Sequence, residues 1–355
     1  MAFLEFKDAR IVGISAAVPL QKFSNLHPDN QTHFSSDYSP EDFVASTGVE
    51  EGRETKTLTT SDLCFEAAEQ LINELGWKRK EIGALVFVSQ TPDYMMPCSA
   101  CILQNRLGLS QECYAYDCTL GCSGWVYGVS QVFSLLNTGN IKKALLLCGE
   151  SHKISEYYPR APLFGSAGTA TAIEYKEGAK PIFCHYGTDG SGYESIIVPE
   201  GGTRNPPLPT SFEKKWDGNE LLNGLQIHMK GIDVYAFSVT TAPKSIKKLA
   251  EKYGINYMDA DFIVLHQANK MINNAIVKKL NFPQEKSPSS LTHFANTSSA
   301  SIPLTMVTQI RDALRSKSNK LICCGFGVGL SWGTVAFETT ADIVIPDLVE
   351  VEELS

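Results

Sequence analysis

The sequence predicts an α/β protein made of two similar halves. Short apolar segments of strand length alternate along the chain with segments that have helical periodicity. Apolar strands separated by helices are typical of a sheet that helices cover on both faces. In addition, two segments of the first half recur in the second half at nearly the same spacing. Together these observations indicate one large fold with an internal duplication.

The elements of the first half follow from the apolar pattern and from glycines at helix ends. We expect Thr60 or Ser61 to cap the first predicted helix and Gly76 to end it, because hydroxyls favour N-caps and glycine favours C-caps. The predicted helix that follows Cys122 is apolar nearly all round and should be buried. Strands are predicted at 9–15, 83–89, 113–117 and 143–149, and helices at 60–76, 99–108 and 123–139.

The duplication is read from two pairs of matching segments. The stretch "LGWKRKEIGALVFVSQ" resembles "YGINYMDADFIVLHQ", and "ALLLCGE" resembles "LICCGFG". Both pairs are offset by 176 to 178 residues, about half of the chain. We therefore expect an N-terminal half over 1–175 and a C-terminal half over 176–355. A long surface excursion at 199–220, rich in Pro and Gly, and a solvated acidic tail are expected in the second half.

Composition narrows the class of protein. The chain has 355 residues, 43% of them hydrophobic, and a formal net charge of −8. Such a charge gives no reason to expect nucleic acid or an anionic membrane as partner. No apolar run approaches the roughly 20 residues that a membrane span needs, and the N-terminus carries no signal-peptide pattern.

Ten cysteines in this chain do not indicate a disulfide framework. Most lie in apolar segments, which suits a reducing cytoplasm where a free cysteine behaves as a small hydrophobe. Cys98 and Cys101 form one CxxC pair, but the sequence has no second pair at the spacing of a structural zinc site. We expect two core cysteines on a helix there.

Cys122, in "LGCSGWVYG", is the candidate nucleophile. It precedes the predicted buried helix, where the helix dipole and free backbone N–H groups favour a thiolate. Gly121 and Gly124 allow close approach of the backbone and leave room for a substrate. From this stretch alone, a structural core cysteine is an equally good interpretation.

Two further segments support a thiol site. His266 ends the apolar strand in "FIVLHQAN", and Asn296 lies in the polar turn "ANTSSASIP". Taken singly, each is more often structural, but Cys, His and Asn at the ends of elements form a plausible constellation for acyl chemistry. The glycine run "CGFGVGLSWG" could supply backbone N–H groups to an oxyanion. It does not fit a dinucleotide loop, because a strand follows it where a helix is required.

These motifs, in order over nearly the whole chain, resemble the 3-oxoacyl-acyl-carrier-protein synthase III family of thiolase-like condensing enzymes. The segments that carry the resemblance are "TPDYMMPCSACILQNRLGL", "YDCTLGCSGWVYG", "MKGIDVYAFSV", "HQAN", "ANTSSASIP" and "GFGVGLSWGTVAF". The resemblance implies a thiolase-like fold of two duplicated halves in five layers, αβαβα, in a cytoplasmic homodimer.

The resemblance also implies roles for single residues. Cys122 takes an acyl group from a thioester, and the backbone N–H groups of Cys122 and Gly329 form the oxyanion hole. His266 and Asn296 bind the thioester carbonyl of a malonyl group while it loses CO₂, and the carbanion attacks the acyl-Cys122 thioester. Met95 and Met96 wall the acyl pocket across the dimer, and no metal or redox cofactor is needed.

The chain departs from the family pattern where substrates bind. Asp42 and Ser46 occupy positions that usually hold a Trp and an Arg against the adenine of coenzyme A, unless an inserted residue places Phe43 there. Ser166 stands where the family usually has Asp. Ala236 and Met271 replace basic residues that usually contact the carrier protein. Lysines that could still form a carrier-protein patch are Lys230, Lys244, Lys270 and Lys278.

The sequence thus predicts an acyltransferase of the 3-oxoacyl synthase III type that acts on acyl-carrier-protein or coenzyme A thioesters. The pathway is either fatty-acid initiation or a specialised one. Three other interpretations stay open: an acyltransferase that moves the Cys122-bound acyl group to an oxygen or nitrogen nucleophile, a non-catalytic partner subunit of another synthase, and a thiol redox protein with Cys118 as resolving cysteine.

Overall fold

The computed structural model describes residues 2–27, 39–154, 161–217 and 220–353, and every statement below concerns these ranges. They form strands β1 to β17, in chain order: Ala2–Phe6, Ala9–Pro19, Lys22–Ser24, Glu51–Arg53, Ile82–Val88, Tyr114–Cys118, Lys143–Glu150, Ala167–Tyr175, Ile182–Thr188, Ile196–Ile197, Lys215–Asp217, Glu220–Leu222, His228–Met229, Phe262–Leu265, Lys320–Gly327, Ser331–Glu338 and Val349–Val351. They also form helices α1 to α9: Pro40–Thr47, Thr60–Glu74, Ser99–Arg106, Gly124–Leu136, Gly231–Tyr253, Lys270–Leu280, Leu291–Phe294, Ser301–Gln309 and Arg311–Ser316.

Two large sheets carry the duplication. The first has the order β17-β2-β8-β7-β5-β6 and the second the order β1-β9-β16-β15-β14. Four neighbouring strands of the first sheet, β2-β8-β7-β5, correspond to four of the second, β9-β16-β15-β14. Within each set, the first two neighbouring pairs are antiparallel and the third is parallel. The predicted internal repeat is therefore confirmed in the sheet topology.

The terminal strands tie the two sheets together. β1 pairs antiparallel with β9 in the second sheet, and β17 pairs parallel with β2 in the first. Each end of the chain therefore joins the sheet that the other half forms. The division into 1–175 and 176–355 stays a prediction.

Three hydrophobic clusters show the layering. The central cluster joins α4 and α8 to both sheets, one outer cluster packs α2 and α3 on the first sheet, and the other packs α5 and α6 on the second. This is the five-layer αβαβα arrangement expected from the resemblance. As predicted, α4 is buried: Trp125, Val129 and Phe133 are each at most 1% exposed. Burial of each such side chain stabilises the fold by about 1.5–3 kcal/mol.

Some local predictions need correction. Thr59, rather than Thr60 or Ser61, caps α2, because its hydroxyl accepts from the Asp62 N–H while the Asp62 side chain accepts from the Thr59 N–H. Gly76 follows the helix end with φ +61°, as expected. The excursion at 199–220 is exposed over most of its described residues, and residues 218 and 219 lie outside the description.

The acidic tail is held rather than solvated. β17 belongs to the first sheet, and Glu350 accepts a hydrogen bond from the buried Arg53 guanidinium at 2.7 Å. The Glu353 carboxylate accepts from the backbone N–H groups of Lys56 and Thr57, both at 2.8 Å. These bonds hold the pKa of Glu353 at about 2 although partial burial opposes them. The carboxylates therefore anchor the tail. Residues 354 and 355 lie outside the described range.

Candidate active site

The three predicted site residues stand at the ends of elements. Cys122 lies between β6 and α4, two residues before the helix begins. His266 directly follows β14, and its backbone N–H donates to the carbonyl of Cys324 at 2.8 Å. Asn296 lies between α7 and α8, where it pairs with Phe164 in an isolated β-bridge. Each side chain is thus positioned by backbone that the surrounding sheets and helices hold.

Ser298, which the sequence analysis did not single out, contacts all three. Its backbone N–H donates to Oδ1 of Asn296 at 2.9 Å. Its hydroxyl favours the thiolate of Cys122, and its backbone favours the protonated form of His266. Ser298 has φ +49°, in the left-handed region. The Cys, His and Asn predicted from separate segments therefore surround one residue.

Burial has the largest effect on the pKa of the Cys122 thiol. It raises the pKa of Cys122, and hydrogen bonds from the Val328 N–H, the Ser298 hydroxyl and the Cys122 N–H offset this only in part. The backbone N–H groups thus favour the thiolate, as expected, but in the site without substrate burial outweighs them. A side-chain carbon on Gly327 would lie 2.8 Å from the Cys122 sulfur, so only glycine fits there.

The amide that faces the sulfur belongs to Val328. The resemblance assigned this role to Gly329, the next residue along the turn. Gly329 has φ +140°, and a side-chain carbon built on it would lie 3.0 Å from the Ser331 nitrogen, beside β16. The Val328 N–H, which lowers the pKa of Cys122, is therefore a second candidate oxyanion donor, and the role of Gly329 stays a prediction.

The two glycines that flank Cys122 are required by close packing. A side-chain carbon on Gly121 would lie 2.2 Å from Oε1 of Gln90, and one on Gly124 would lie 2.6 Å from Cγ1 of Val88. The close approach expected at these glycines is confirmed. Both glycines pack against residues at or just after the end of β5.

The His266 imidazole is neutral. Burial lowers its pKa to about 3, so it carries one ring proton at neutral pH. Nδ1 lies 2.8 Å from the Ser301 hydroxyl, and the ring meets that of Phe326 edge-on at 5.6 Å between centroids. If the hydroxyl donates to Nδ1, the proton is left on Nε2, where it can be donated to a substrate oxygen.

The Asn296 amide has a fixed orientation. Because the Ser298 N–H can only donate, the atom that it meets is the oxygen of the Asn296 side chain. The amide nitrogen then points the other way and makes one long bond, 3.4 Å, to the carbonyl of Ala268. Its second N–H is the donor that a substrate could use.

A buried carboxyl group lies behind the site, and the sequence analysis missed it. Glu150, at the end of β7, is 2% exposed and accepts from the Gln90 N–H at 3.0 Å and the Thr91 hydroxyl at 2.9 Å. Burial raises its pKa to about 7. The only sequence signal is a charged residue that ends an apolar strand.

The remaining predicted residues lie outside this cluster. Met95 and Met96 are 90% and 83% exposed, on the segment between β5 and α3. Cys98 and Cys101 are not core cysteines, because Cys98 is half-buried and Cys101 is exposed. Within the described ranges, no group of three or more His, Cys, Asp or Glu side chains is arranged to hold a metal ion.

The segment expected to face coenzyme A forms α1. Asp42 is exposed and closes a capping box with Ser39, and the Ser46 hydroxyl donates to the carbonyl of Phe43 at 3.0 Å. Phe43 is only 8% exposed and packs with Phe23, so the alternative that it offers an aromatic platform is wrong. Ser166 is buried, and its hydroxyl accepts from the His152 N–H at 3.0 Å.

The candidate carrier-protein lysines are exposed but spread along two packed helices. Lys230 precedes α5 and pairs with Glu194 at 3.2 Å, while Lys244 lies in the middle of that helix. Lys270 begins α6 and Lys278 lies in its last turn, about 12 Å away at 1.5 Å per residue. Their shared role stays a prediction.

Comparison with known proteins shows the family to which the chain is similar. Residues 116–190 match the family model described as 3-oxoacyl-[acyl-carrier-protein] synthase III, and residues 250–339 match its C-terminal model. The described part of the chain contains no helix that is long and apolar enough to cross a membrane.

Relatives match over almost the whole length. The beta-ketoacyl-[acyl-carrier-protein] synthase III of Clostridium perfringens strain ATCC 13124 is 31% identical over 92% of this chain and 98% of its own. The Clostridioides difficile strain 630 protein of the same name is 31% identical over 94% and 98%. A 3-oxoacyl-(acyl-carrier protein) synthase from Burkholderia xenovorans LB400 superposes with a TM-score of 0.89, at 32% identity over 99% of both chains. The chain belongs to the 3-oxoacyl-acyl-carrier-protein synthase III family and has its thiolase-like fold.

Proposed function

We propose that this protein is a condensing enzyme that joins an acyl group to a malonyl thioester with loss of CO₂. One observation carries the proposal: Ser298 donates a hydrogen bond to Asn296 and also influences the pKa values of Cys122 and His266. A thiol, a neutral imidazole and an oriented amide around one point are the groups that acylation and decarboxylation need. Family membership supports the same reaction.

In the first half-reaction the Cys122 sulfur attacks the carbonyl carbon of an acyl thioester. The carbonyl oxygen becomes an oxyanion, which the N–H groups of Cys122 and of Val328 or Gly329 stabilise. The carrier thiol then leaves with a proton, and the acyl group remains on Cys122. Because burial raises the Cys122 pKa, the hydrogen bond from Ser298 and the approaching substrate must both help to form the thiolate.

In the second half-reaction a malonyl thioester binds with its carbonyl oxygen near His266 and Asn296. The imidazole N–H and the amide N–H donate to that oxygen as CO₂ leaves and an enolate forms. The enolate carbon attacks the acyl-Cys122 carbonyl, the Cys122 sulfur leaves and takes up a proton, and a 3-oxoacyl thioester results. These steps require no metal or redox cofactor.

The donor is an acyl group on the phosphopantetheine of a carrier protein, with coenzyme A as the weaker alternative. Lys230, Lys244, Lys270 and Lys278 offer positive charge on α5 and α6 for an acidic carrier. The ten free cysteines fit a cytoplasmic enzyme.

The active form is a homodimer in this proposal. β6 is an edge strand of the first sheet, and Tyr114 on it is 57% exposed. Met95 and Met96 stand in solvent in the single chain, as side chains that wall the acyl pocket of a partner subunit would. Methionine adapts to many shapes, so these residues suit acyl groups of different form.

His266→Ala and Asn296→Ala separate the two half-reactions. Both variants should still form acyl-Cys122 but lose malonyl decarboxylation by about 10²–10³-fold, the usual effect of removing one such donor. Acyl-enzyme is measured by intact mass, and decarboxylation by release of labelled CO₂. His293→Ala, at an exposed histidine on α7, is the matched control. Wild-type condensation by both site variants would refute the proposal. If neither variant is acylated, His266 instead acts as the base for Cys122.

A further inference from the structure

Two thiols lie side by side at the start of α3. Cys98 directly precedes this helix, Cys101 lies in its first turn, and their sulfur atoms are 3.2 Å apart. A disulfide bond holds two sulfurs about 2.05 Å apart, so the pair is about 1 Å from bonding distance.

In the single chain, solvent reaches this pair of cysteines. Cys101 is exposed and Cys98 is half-buried. Five other cysteines are buried and out of reach of a dissolved reagent: Cys64, Cys148, Cys184, Cys323 and Cys324. The pair therefore combines proximity with access, the two conditions that thiol–disulfide exchange requires.

The surroundings of the pair favour a particular order of attack. The Asp117 carboxylate accepts from the backbone N–H groups of Ser99 and Ala100, both at 2.7 Å, and so occupies the start of α3. The hydrogen bond to Cys98 is the largest cause that raises the pKa of Cys101, and Asp117 adds to it. The raised pKa of Cys101 disfavours its thiolate, so we assign the first attack to Cys98.

We propose that Cys98 and Cys101 are a reversible disulfide site, separate from Cys122, that takes up oxidising equivalents from small-molecule disulfides. The Cys98 thiolate attacks one sulfur of a disulfide such as oxidised glutathione and releases one glutathione thiolate. Cys101 then loses its proton, attacks the Cys98 sulfur of the mixed disulfide and releases the second glutathione. The net reaction oxidises two protein thiols to one disulfide and reduces one glutathione disulfide to two glutathione thiols.

Peptide mapping tests this site cleanly. Trypsin releases residues 81–106, in which Cys98 and Cys101 are the sole cysteines, whereas Cys122 falls in the next peptide. After incubation with oxidised glutathione and blocking of free thiols, the 81–106 peptide should be about 2 Da lighter than its fully reduced form, carry no blocking group and regain both thiols with dithiothreitol.

Single variants distinguish closure from simple modification. Cys101→Ser should retain one glutathione on Cys98, Cys98→Ser should react more slowly, and Cys113→Ser, elsewhere in the chain, should behave as wild type. Circular dichroism of each variant shows that it is folded. The proposal is overturned if wild-type protein accumulates glutathione on either cysteine without closing, or if the disulfide that forms links other residues. Activity is not the readout, so failure here leaves the condensing function untouched.

Discussion

Ser298 determines how the three reactive side chains meet. Its N–H fixes the Asn296 amide, its backbone faces His266, and its hydroxyl faces Cys122. Only the contact with Cys122 depends on the Ser298 side chain, because the other two use backbone atoms. A substitution can therefore remove that contact and leave the other two in place.

We expect Ser298→Ala to raise the pKa of Cys122 further. A hydrogen bond to a charged group contributes about 1.5–3 kcal/mol, and one pKa unit corresponds to about 1.4 kcal/mol. Alkylation of Cys122 below its pKa should therefore slow by roughly tenfold or more. The measurement is the pH profile of iodoacetamide incorporation into the Cys122 peptide, with Ser134→Ala, on the outer face of α4, as control. A profile that does not move toward higher pH would show that the Ser298 hydroxyl has no effect on the thiol.

At the residue scale, the sequence predicts the reactive side chains better than the backbone groups that face them. Cys122, His266 and Asn296 follow from polar residues at the ends of apolar elements and from the family resemblance. Val328 could not be predicted, because the amide that faces the sulfur is set by the backbone course of a glycine-rich turn. The net direction of the Cys122 pKa shift could not be predicted for another reason. Desolvation outweighs the N–H donors near it, and burial depends on the whole fold.

At the scale of elements, the strands and helices that were predicted in the first half agree with the structure to within a few residues, whereas β1, β3, β4, β8 and α1 were not predicted. Apolar runs and helical spacing carry that information locally. The wrong predictions concern segments whose structure depends on contacts with distant parts of the chain. The C-terminal tail has an acidic composition that is typical of solvated ends. In the structure it nevertheless pairs with β2 and accepts hydrogen bonds from the backbone of residues 56 and 57. Cys98 and Cys101 were expected in the core. In the structure, Cys98 lies directly before α3 and Cys101 is exposed to solvent.

At the scale of the whole molecule, the duplication was predicted because matched segments at a common offset survive in the sequence. The exchange of β1 and β17 between the sheets was not, because a short strand carries no signal of which sheet it will join. The five layers follow from the two sheets. Each is covered on one face by its own helices, and both share α4 and α8 on the other.

The residues of α1 predict a preference among thioester donors. Asp42 is exposed on α1, and Phe43 is buried. We expect kcat/KM for an acyl-carrier protein to exceed that for the same acyl-coenzyme A by roughly 10- to 1000-fold. The basis is the lost aromatic platform, about 0.5–2 kcal/mol, and the lost charged contact, about 1.5–3 kcal/mol.

Introducing the residues that the family usually has tests the same preference by a gain of activity. Asp42→Trp combined with Ser46→Arg should raise kcat/KM for acyl-coenzyme A and leave the carrier-protein value nearly unchanged. Both donors are compared at one ionic strength, because contacts with charged partners weaken with salt. Equal values for the two donors in the wild-type protein would show that other residues bind the nucleotide.

The most direct test of the account is a chase of the acyl-enzyme. The protein is first loaded from an acyl-carrier thioester, the acyl mass is mapped to a peptide, and a malonyl thioester is then added while enzyme mass, CO₂ and product are followed together. We predict that the acyl group sits on Cys122, that it stays there until the malonyl thioester arrives, and that each acyl group lost yields one CO₂ and one 3-oxoacyl thioester. Acylation at another residue, or transfer of the acyl group to an oxygen or nitrogen nucleophile without CO₂, would contradict the account.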